Sequence, residues 1–216
     1  MKLYSGPVSM FGGKAQIAAL EKRIPVEVEM VAFDFANLYE PKHPEVVRIN
    51  PKQQVPVLID GDLELFDSTQ IFEYFEDLRP DPALWPRDVR VRARARLLEM
   101  KSDEVFFPHV VMLMPRQRAT ASEDQVAGAI AAINAYYEEM EATLRSRDYL
   151  ADTFSYADIA FFMAQRFAAF LGAPMPASHA RLCAWRDRVG ERPTVVQVTD
   201  AMGRFVRDQG LQAAVA

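Results

Sequence analysis

Cysteine is almost absent from this sequence, because the 216 residues include only Cys183. A single cysteine cannot form an intramolecular disulfide, and it cannot build a zinc site from several thiolates. The three histidines, His43, His109 and His179, do not have the spacing of a metal-binding helix motif. We therefore expect no metal ion, and we expect a reducing compartment.

An excess of positive charge is also lacking. The chain has 25 lysine and arginine residues against 30 aspartate and glutamate residues, which gives a formal net charge of −5. Proteins that bind nucleic acids or anionic membranes are usually basic, so neither partner is predicted. No apolar run reaches the roughly 20 residues that span a bilayer, and the start of the chain does not resemble a signal peptide. The predicted location is the cytoplasm.

The sequence does contain two different secondary-structure patterns, which meet near residue 80. Before that point, strand and helix patterns follow in the order βαβ, then ββα, and Asp60-Gly61-Asp62 is typical of a hairpin turn. Prolines then interrupt the pattern, and everything after them has helical periodicity. We predict a two-domain α+α/β chain, with a small α/β domain over 1–79, a linker over 80–87 and an all-α domain over 88–216.

Pro56 opens a strand pattern, although proline cannot donate a hydrogen bond to a sheet. Two explanations are open. Either the Val55–Pro56 peptide bond is cis, which exposes the backbone groups of Val55, or a trans proline lies in an edge strand.

Asp67 and Ser68 immediately precede a helical pattern. Either residue could cap that helix, which is the structural interpretation. The functional interpretation adds a ligand, because a helix N-terminus with a hydroxyl binds carboxylates and a neighbouring aspartate binds an ammonium group. Together the pair could hold the zwitterionic end of an amino acid.

Four segments, in their order and spacing, resemble the cytosolic glutathione transferases over essentially the whole chain. They are Val55-Pro56, Asp67-Ser68, the stretch from Ser155 to Ile159, and the ending from Trp185 to Arg192-Pro193. The resemblance implies a thioredoxin-like N-terminal domain followed by a helical bundle that carries the electrophile pocket. It also implies glutathione as cosubstrate, a homodimer and a role in detoxification.

The resemblance also assigns the glutathione contacts. It implies that the backbone of Val55 pairs with the cysteinyl part, while Asp67 and Ser68 bind the γ-glutamyl end. Many relatives have glutamate where this chain has Asp67, so the charge is kept with one methylene less reach. The glycyl carboxylate is assigned to Lys42 and Gln54, with His43 or Gln53 as possible substitutes.

The residue that activates the thiol is expected near the end of the first strand, where relatives have tyrosine, serine or cysteine. Tyr4, Ser5 and Ser9 compete for this role. Pro7-Val8-Ser9 resembles the Pro-x-Ser segment of serine-type members, so Ser9 is the predicted catalytic residue; its alternative role is a helix cap. The chain has no cysteine near the end of the first strand, where Cys-type relatives have one. This absence argues against thiol–disulfide chemistry.

The electrophile pocket is predicted only by analogy with relatives. The candidates are Met10, Phe11, Phe106, His109, Val110 and Met114. Most of the apolar run from 105 to 114 could equally be ordinary core.

Ser155 and Asp158 have the spacing of a capping box, so Asp158 is predicted to be structural rather than catalytic.

The function predicted from all these features is transfer of glutathione to a small apolar electrophile. Two alternatives remain open: a non-catalytic glutathione-binding or interaction module of the same fold, and a glutathione-dependent peroxidase, isomerase or dehalogenase.

Overall fold

The computed structural model describes residues 1–210 and divides into two compact units. Unit 1 contains residues 1–83 and the described part of the segment that begins at Pro193, and unit 2 contains residues 84–192. The predicted boundaries differ at the C-terminal end, because the last helix belongs with the N-terminal unit. Helical periodicity shows that a segment is a helix, but it does not show which unit its apolar face contacts.

Unit 1 is a thioredoxin-like layer of four strands with helices on both faces, which confirms the predicted fold class. Its strands are β1 (Lys2–Ser5), β2 (Glu27–Met30), β3 (Val57–Asp60) and β4 (Leu63–Phe66). Its helices are α1 (Met10–Glu21), α2 (Pro44–Ile49), α3 (Ser68–Leu78) and α10 (Pro193–Asp208). The strand order is β2-β1-β3-β4. The predicted hairpin is confirmed, with Gly61 at φ 63° in the turn.

The register of the sheet brings the ends of several strands, and the loops that adjoin them, to one edge. β1 is parallel to β2 and antiparallel to β3, and β3 is antiparallel to β4. Tyr4 is paired with Val57, Val57 with Phe66, and Ser5 with Met30. The ends of β1, β2 and β4 and the start of β3 therefore share one edge, which we call the Ser5 edge.

Two local features of unit 1 differ from the prediction. The alternation in β2 predicts one buried face, yet Val28 and Met30 are 38% and 46% exposed, because β2 is an edge strand. Helix α2 was not predicted, since its six residues after Pro44 are too short to show a helical period.

The aromatic and aliphatic side chains of β1 alternate between two cores. Leu3 is fully buried on one face, while Tyr4 packs on the other face with Val31, Val46 and Val57. The C-terminal helix α10 contributes Phe205, whose ring centroid lies 6.0 Å from that of Phe33. This contact and a hydrogen bond from Thr194 to Glu21 are two reasons why α10 belongs to unit 1.

Unit 2 is all-helical, as predicted. Its helices are α4 (Val89–Lys101), α5 (Phe107–Val111), α6 (Pro115–Arg118), α7 (Glu123–Thr143), α8 (Tyr156–Phe170) and α9 (Ala180–Gly190). A π-helical turn over Ser102–Phe106 joins α4 to α5. The sequence pattern predicts helices over 89–105 and 106–118, but Pro108 cannot donate a helical hydrogen bond and Pro115 begins a new helix.

An aromatic cluster forms the core of unit 2. Phe106 lies 5.0 Å from Tyr136, 5.5 Å from Tyr137 and 5.3 Å from Phe161, measured between ring centroids. Phe161 in turn stacks on Trp185 at 5.2 Å. The hydroxyl of Tyr137 donates to the carbonyl oxygen of Ala173 at 2.9 Å, so this buried phenol is satisfied.

Asp158 is a fully buried carboxylate that accepts four hydrogen bonds. Its Oδ1 accepts from the backbone of Leu150 at 2.9 Å and from the Trp185 indole at 2.8 Å. Its Oδ2 accepts from the backbone and the hydroxyl of Ser155 at 2.9 and 3.0 Å. Burial raises the pKa of Asp158, and the four donors oppose that shift. The predicted structural role of Asp158 is confirmed.

Replacing Asp158 should destabilise unit 2 strongly. Asp158→Ala leaves four buried donors without an acceptor, and each unsatisfied donor costs about 1–3 kcal/mol, so we expect a loss of at least about 2 kcal/mol in the free energy of unfolding. The control is Ser122→Ala, which removes the exposed cap of α7 and should cost about 1 kcal/mol. Denaturant unfolding followed by circular dichroism measures both. Equal losses in the two variants would contradict the role assigned to Asp158.

Candidate functional site

Three predicted site segments meet at the Ser5 edge of unit 1. Ser9 follows β1, Val55 precedes β3, and Asp67 with Ser68 follows β4. Because the ends of these strands are paired in the sheet, the segments are brought to the same edge. Helices α1 and α3 both begin there, so their N-terminal backbone N–H groups add positive electrostatic potential to this edge.

Ser9 is the N-cap of α1. Its backbone N–H donates to the carbonyl oxygen of Gly6 at 3.1 Å, and its Oγ accepts from the backbone of Gly12 at 3.0 Å. A hydroxyl has one donor hydrogen and two lone pairs, so this cap uses only the acceptor side. The side chain is half-buried. Capping α1 and donating to a ligand are therefore compatible roles.

Ser5 and Tyr4, the alternatives to Ser9 as the thiol-activating residue, are both buried. Ser5 is fully buried, and its Oγ accepts from Nε2 of Gln16 at 2.8 Å. Tyr4 is 5% exposed and belongs to the core on the α2 side of the sheet. Of the three candidates, Ser9 has the most exposed side chain.

Asp67 combines a helix cap with an unusual backbone conformation. Its φ is 76°, a region that residues other than glycine rarely adopt and that often marks functional sites. Its Oδ1 accepts from the backbones of Thr69 and Gln70 at 3.0 and 3.2 Å. Within residues 1–210 its Oδ2 accepts no hydrogen bond, and the residue is exposed. Ser68, the first residue of α3, is 1% exposed beside it.

The Val55–Pro56 peptide bond is cis, as the first of the two explanations requires. The preceding loop is held by Asn50, which is 4% exposed. Its Nδ2 donates to the carbonyl oxygen of Gln54 at 2.6 Å, and its Oδ1 accepts from the backbone of Lys52 at 2.9 Å. Sequence reasoning missed Asn50; its signal was the Asn50-Pro51 dipeptide, which favours turns.

The residues assigned to the glycyl carboxylate are partly engaged with other groups. Nζ of Lys42 lies 3.3 Å from a carboxylate oxygen of Glu40. His43 uses both ring nitrogens: Nδ1 accepts from the backbone of Glu45 at 3.3 Å, and Nε2 lies 3.1 Å from a carboxylate oxygen of Glu29. The ring of His43 is therefore already engaged, whereas the side chain of Gln54 is exposed.

The side chains predicted for the electrophile pocket fall into a half-buried group and a buried group. Phe11, His109 and Met114 are half-buried, whereas Met10, Phe106 and Val110 are 2%, 0% and 0% exposed. The ring of Phe106 is enclosed by the aromatic core of unit 2, and Met10 and Val110 are also buried. Burial favours a core role for all three, and their place in the electrophile pocket stays a prediction. The apolar run of the sequence could not separate these two groups.

Within residues 1–210, no three histidine, cysteine, aspartate or glutamate side chains cluster as metal ligands. None of the helices in the described part of the chain combines the length and apolar character needed to cross a membrane.

Comparison with known proteins gives a consistent result for both units. The family model "Glutathione S-transferase, N-terminal domain" matches residues 3–83, and "Glutathione S-transferase, C-terminal domain" matches residues 102–193. The "Uncharacterized GST-like protein YibF" of Escherichia coli is 32% identical over 174 residues, which cover 79% of this chain and 83% of that protein.

A second relative is the "Stringent starvation protein A homolog" of Coxiella burnetii, which is 31% identical over 128 residues. That alignment spans 57% of each chain, so this chain matches a little over half of that relative's length. Among solved structures, Gtt2 from Saccharomyces cerevisiae has a TM-score of 0.80 at 23% identity, covering 92% of this chain and all of that one. At that identity, the structural likeness supports the fold alone.

Gly12 packs closely on Ser5, so we expect an alanine at position 12 to lower the stability of unit 1. A Cβ added at Gly12 would lie 2.1 Å from Oγ of Ser5, whereas a Cβ at Gly128 of α7 would meet nothing within 4 Å. We expect Gly12→Ala to destabilise unit 1 by about 1–3 kcal/mol through overpacking, and Gly128→Ala to stabilise α7 by about 0.5–1 kcal/mol.

Thermal and denaturant unfolding of both glycine variants tests this contrast. A Ser5→Ala background should relieve part of the cost of Gly12→Ala, because the clashing oxygen is gone. A Gly12→Ala variant that is as stable as Gly128→Ala would show that the hydroxyl of Ser5 moves away without cost.

Proposed function

Because this chain belongs to the glutathione S-transferase family, we propose that it is a glutathione transferase that activates the glutathione thiol at the Ser5 edge for attack on a small apolar electrophile. The observation that carries the proposal is the meeting of three groups at that edge: the Ser9 hydroxyl, the backbone of Val55, and the Asp67–Ser68 pair.

Each group matches one part of the tripeptide. The start of α3 offers backbone N–H groups and the hydroxyl of Ser68 to the γ-glutamyl carboxylate. The uncommitted Oδ2 of Asp67 suits the ammonium group of the same residue. The backbone of Val55, next to the cis-proline, suits the cysteinyl part. Lys42 and Gln54 remain the proposed partners of the glycyl carboxylate.

Thiol activation needs only a modest amount of free energy. A thiol with a pKa of about 8.5 is a few per cent thiolate at pH 7, and the thiolate is the nucleophile. Lowering that pKa by about two units requires about 2.7 kcal/mol. One hydrogen bond to a charged acceptor contributes about 1.5–3 kcal/mol and a helix N-terminus about 0.3–1 kcal/mol. The hydroxyl of Ser9 and the start of α1 are together sufficient.

Within unit 2, the half-buried side chains proposed for the electrophile site are His109 and Met114. Phe11 is a separate half-buried candidate in unit 1. The proposal extends to a homodimer that acts in cytoplasmic detoxification, as the family resemblance implies. It includes no metal and no cofactor other than glutathione.

A second candidate function is glutathione binding without catalysis. It is supported by the helix cap, since capping α1 is by itself a sufficient reason for a serine at position 9. Relatives named "Stringent starvation protein A homolog" also show that the family includes proteins whose names state no transferase activity. Thiolate formation distinguishes the two functions.

We expect the charge of Asp67 to control the affinity for glutathione. Asp67→Asn keeps an oxygen that can cap α3 but loses the charge that faces the ammonium group, so the affinity should fall by about tenfold or more, equivalent to about 1.4 kcal/mol. Ser68→Ala should have an effect of similar size, because it removes one hydrogen bond to the ligand carboxylate. Isothermal titration calorimetry with glutathione measures both.

The control for this pair is Asp88→Asn, which changes the corresponding cap of α4 in unit 2. It should leave the glutathione affinity unchanged. Unaltered affinity in both Asp67→Asn and Ser68→Ala would remove this part of the proposed site.

Loss of the Ser9 hydroxyl should raise the pKa of the bound glutathione thiol by about 1–2 units, because one hydrogen bond to the thiolate is lost. The variants are Ser9→Ala and Ser9→Gly; glycine costs only a few tenths of a kcal/mol at an N-cap, so it separates the hydroxyl from the cap. Ser9→Thr retains a hydroxyl and serves as the control. Ultraviolet absorbance of the thiolate in the binary complex against pH gives the pKa.

Three results would change the assignment of Ser9. A shift in Ser9→Ala without one in Ser9→Gly would trace the effect to the helix cap. A shift only in Ser5→Ala or Tyr4→Phe would transfer the role to that residue. A wild-type complex without thiolate near neutral pH would favour the non-catalytic function.

A further inference from the structure

Tyr39 lies in the loop between β2 and α2, on the same face of the sheet as Tyr4. Its ring packs on the core of Tyr4, Val31, Val46 and Val57, and its centroid lies 4.7 Å from that of Phe33. Phe33 is itself held by Phe35 at 5.1 Å and by Phe205. The position of the phenol is therefore fixed by packing from several sides.

The phenol occupies the space beside Gly6. A Cβ added at Gly6 would lie 2.2 Å from Oη of Tyr39, 2.6 Å from Cε1 and 2.7 Å from Cζ, so only glycine leaves room for this ring. Gly6 also accepts the hydrogen bond from the backbone of Ser9 at 3.1 Å. The hydroxyl of Tyr39 thus contacts the turn that carries Ser9.

Within residues 1–210 that hydroxyl makes no hydrogen bond to the protein, and its oxygen is not completely sealed from solvent. A phenylalanine would keep the same ring contacts, so the packing of the ring on Gly6 does not require the hydroxyl. The donor hydrogen of the phenol is therefore available to a ligand.

The protonation state of the phenol suits a donor. Burial raises the pKa of Tyr39 above its usual value, so the group keeps its proton across the neutral range. A neutral phenol donates a hydrogen bond well to an anion. It does not act as a base in that range.

We infer that Tyr39 is a second hydrogen-bond donor of the thiol site, whose phenol, packed beside Gly6, donates to the sulfur of bound glutathione. This inference rests on the proposed function, because the acceptor is the glutathione thiolate. Ser9 and Tyr39 then approach the same atom from two different loops, one after β1 and one after β2. The thiolate would accept the hydrogen bond that no group within residues 1–210 accepts from this phenol.

The test is Tyr39→Phe, with Tyr137→Phe as the matched control. Tyr39→Phe should raise the pKa of the bound thiol by about one unit, a tenfold lower ratio of thiolate to thiol near neutral pH. The melting temperature of the free protein should be unchanged, because the ring contacts remain and no hydrogen bond within the protein is lost. Tyr137→Phe loses its bond to Ala173, so it should melt at a lower temperature with an unchanged thiol pKa.

A positioning role through packing alone predicts no shift in the thiol pKa for Tyr39→Phe, since the ring on Gly6 is retained. An unchanged thiol pKa in that variant, beside a wild type that forms thiolate, contradicts the inference and leaves the proposed function intact. A lower melting temperature in Tyr39→Phe contradicts the premise that the hydroxyl makes no hydrogen bond within the protein. A wild-type complex without thiolate contradicts both the proposed function and the inference.

Discussion

The pairing of β1 with β3 is the constraint on which the candidate site depends. It places Tyr4 opposite Val57, and the next pair, β3 with β4, places Val57 opposite Phe66. A slip of one residue in either pair would turn every side chain of the slipped strand to the opposite face of the sheet and displace the loops at its end. Ser9, Val55 and Asp67 are distant in sequence, yet each follows or precedes a strand at that register. The hydrogen bonds of the sheet therefore decide that these groups meet.

Local signals predicted much of this arrangement, and contacts over long sequence distances account for what was missed. The Asp60-Gly61-Asp62 hairpin, helix α3 and the Ser155–Asp158 box depend on neighbouring residues, and all were predicted correctly. The membership of α10 in unit 1 and the enclosure of Phe106 depend on partners far along the chain. An apolar residue on a helix gives the same pattern whether it faces a core or a ligand. Helix α2 was missed because one short turn after a proline has no measurable period.

Helix caps in this protein show how structural and ligand-binding roles differ. Asp158 is fully buried, and both of its oxygens are occupied by donors from Leu150, Ser155 and Trp185. Asp67 also caps a helix, but it uses one oxygen and remains exposed. Ser9 caps α1 as an acceptor and retains a donor hydrogen. The spare hydrogen-bonding capacity, rather than the cap itself, marks the residues that can hold a ligand.

The same reasoning separates missing partners that point to a ligand from those that do not. In the core of unit 2, the hydroxyl of Tyr136 is buried without a hydrogen-bond partner within residues 1–210, whereas that of Tyr137 donates to Ala173. A missing partner alone therefore does not mark a ligand site. It does so where the group can also be reached from solvent, as the exposed carboxylate of Asp67 can. In the proposed complex with glutathione, the ammonium group of the tripeptide is the complementary partner for that carboxylate.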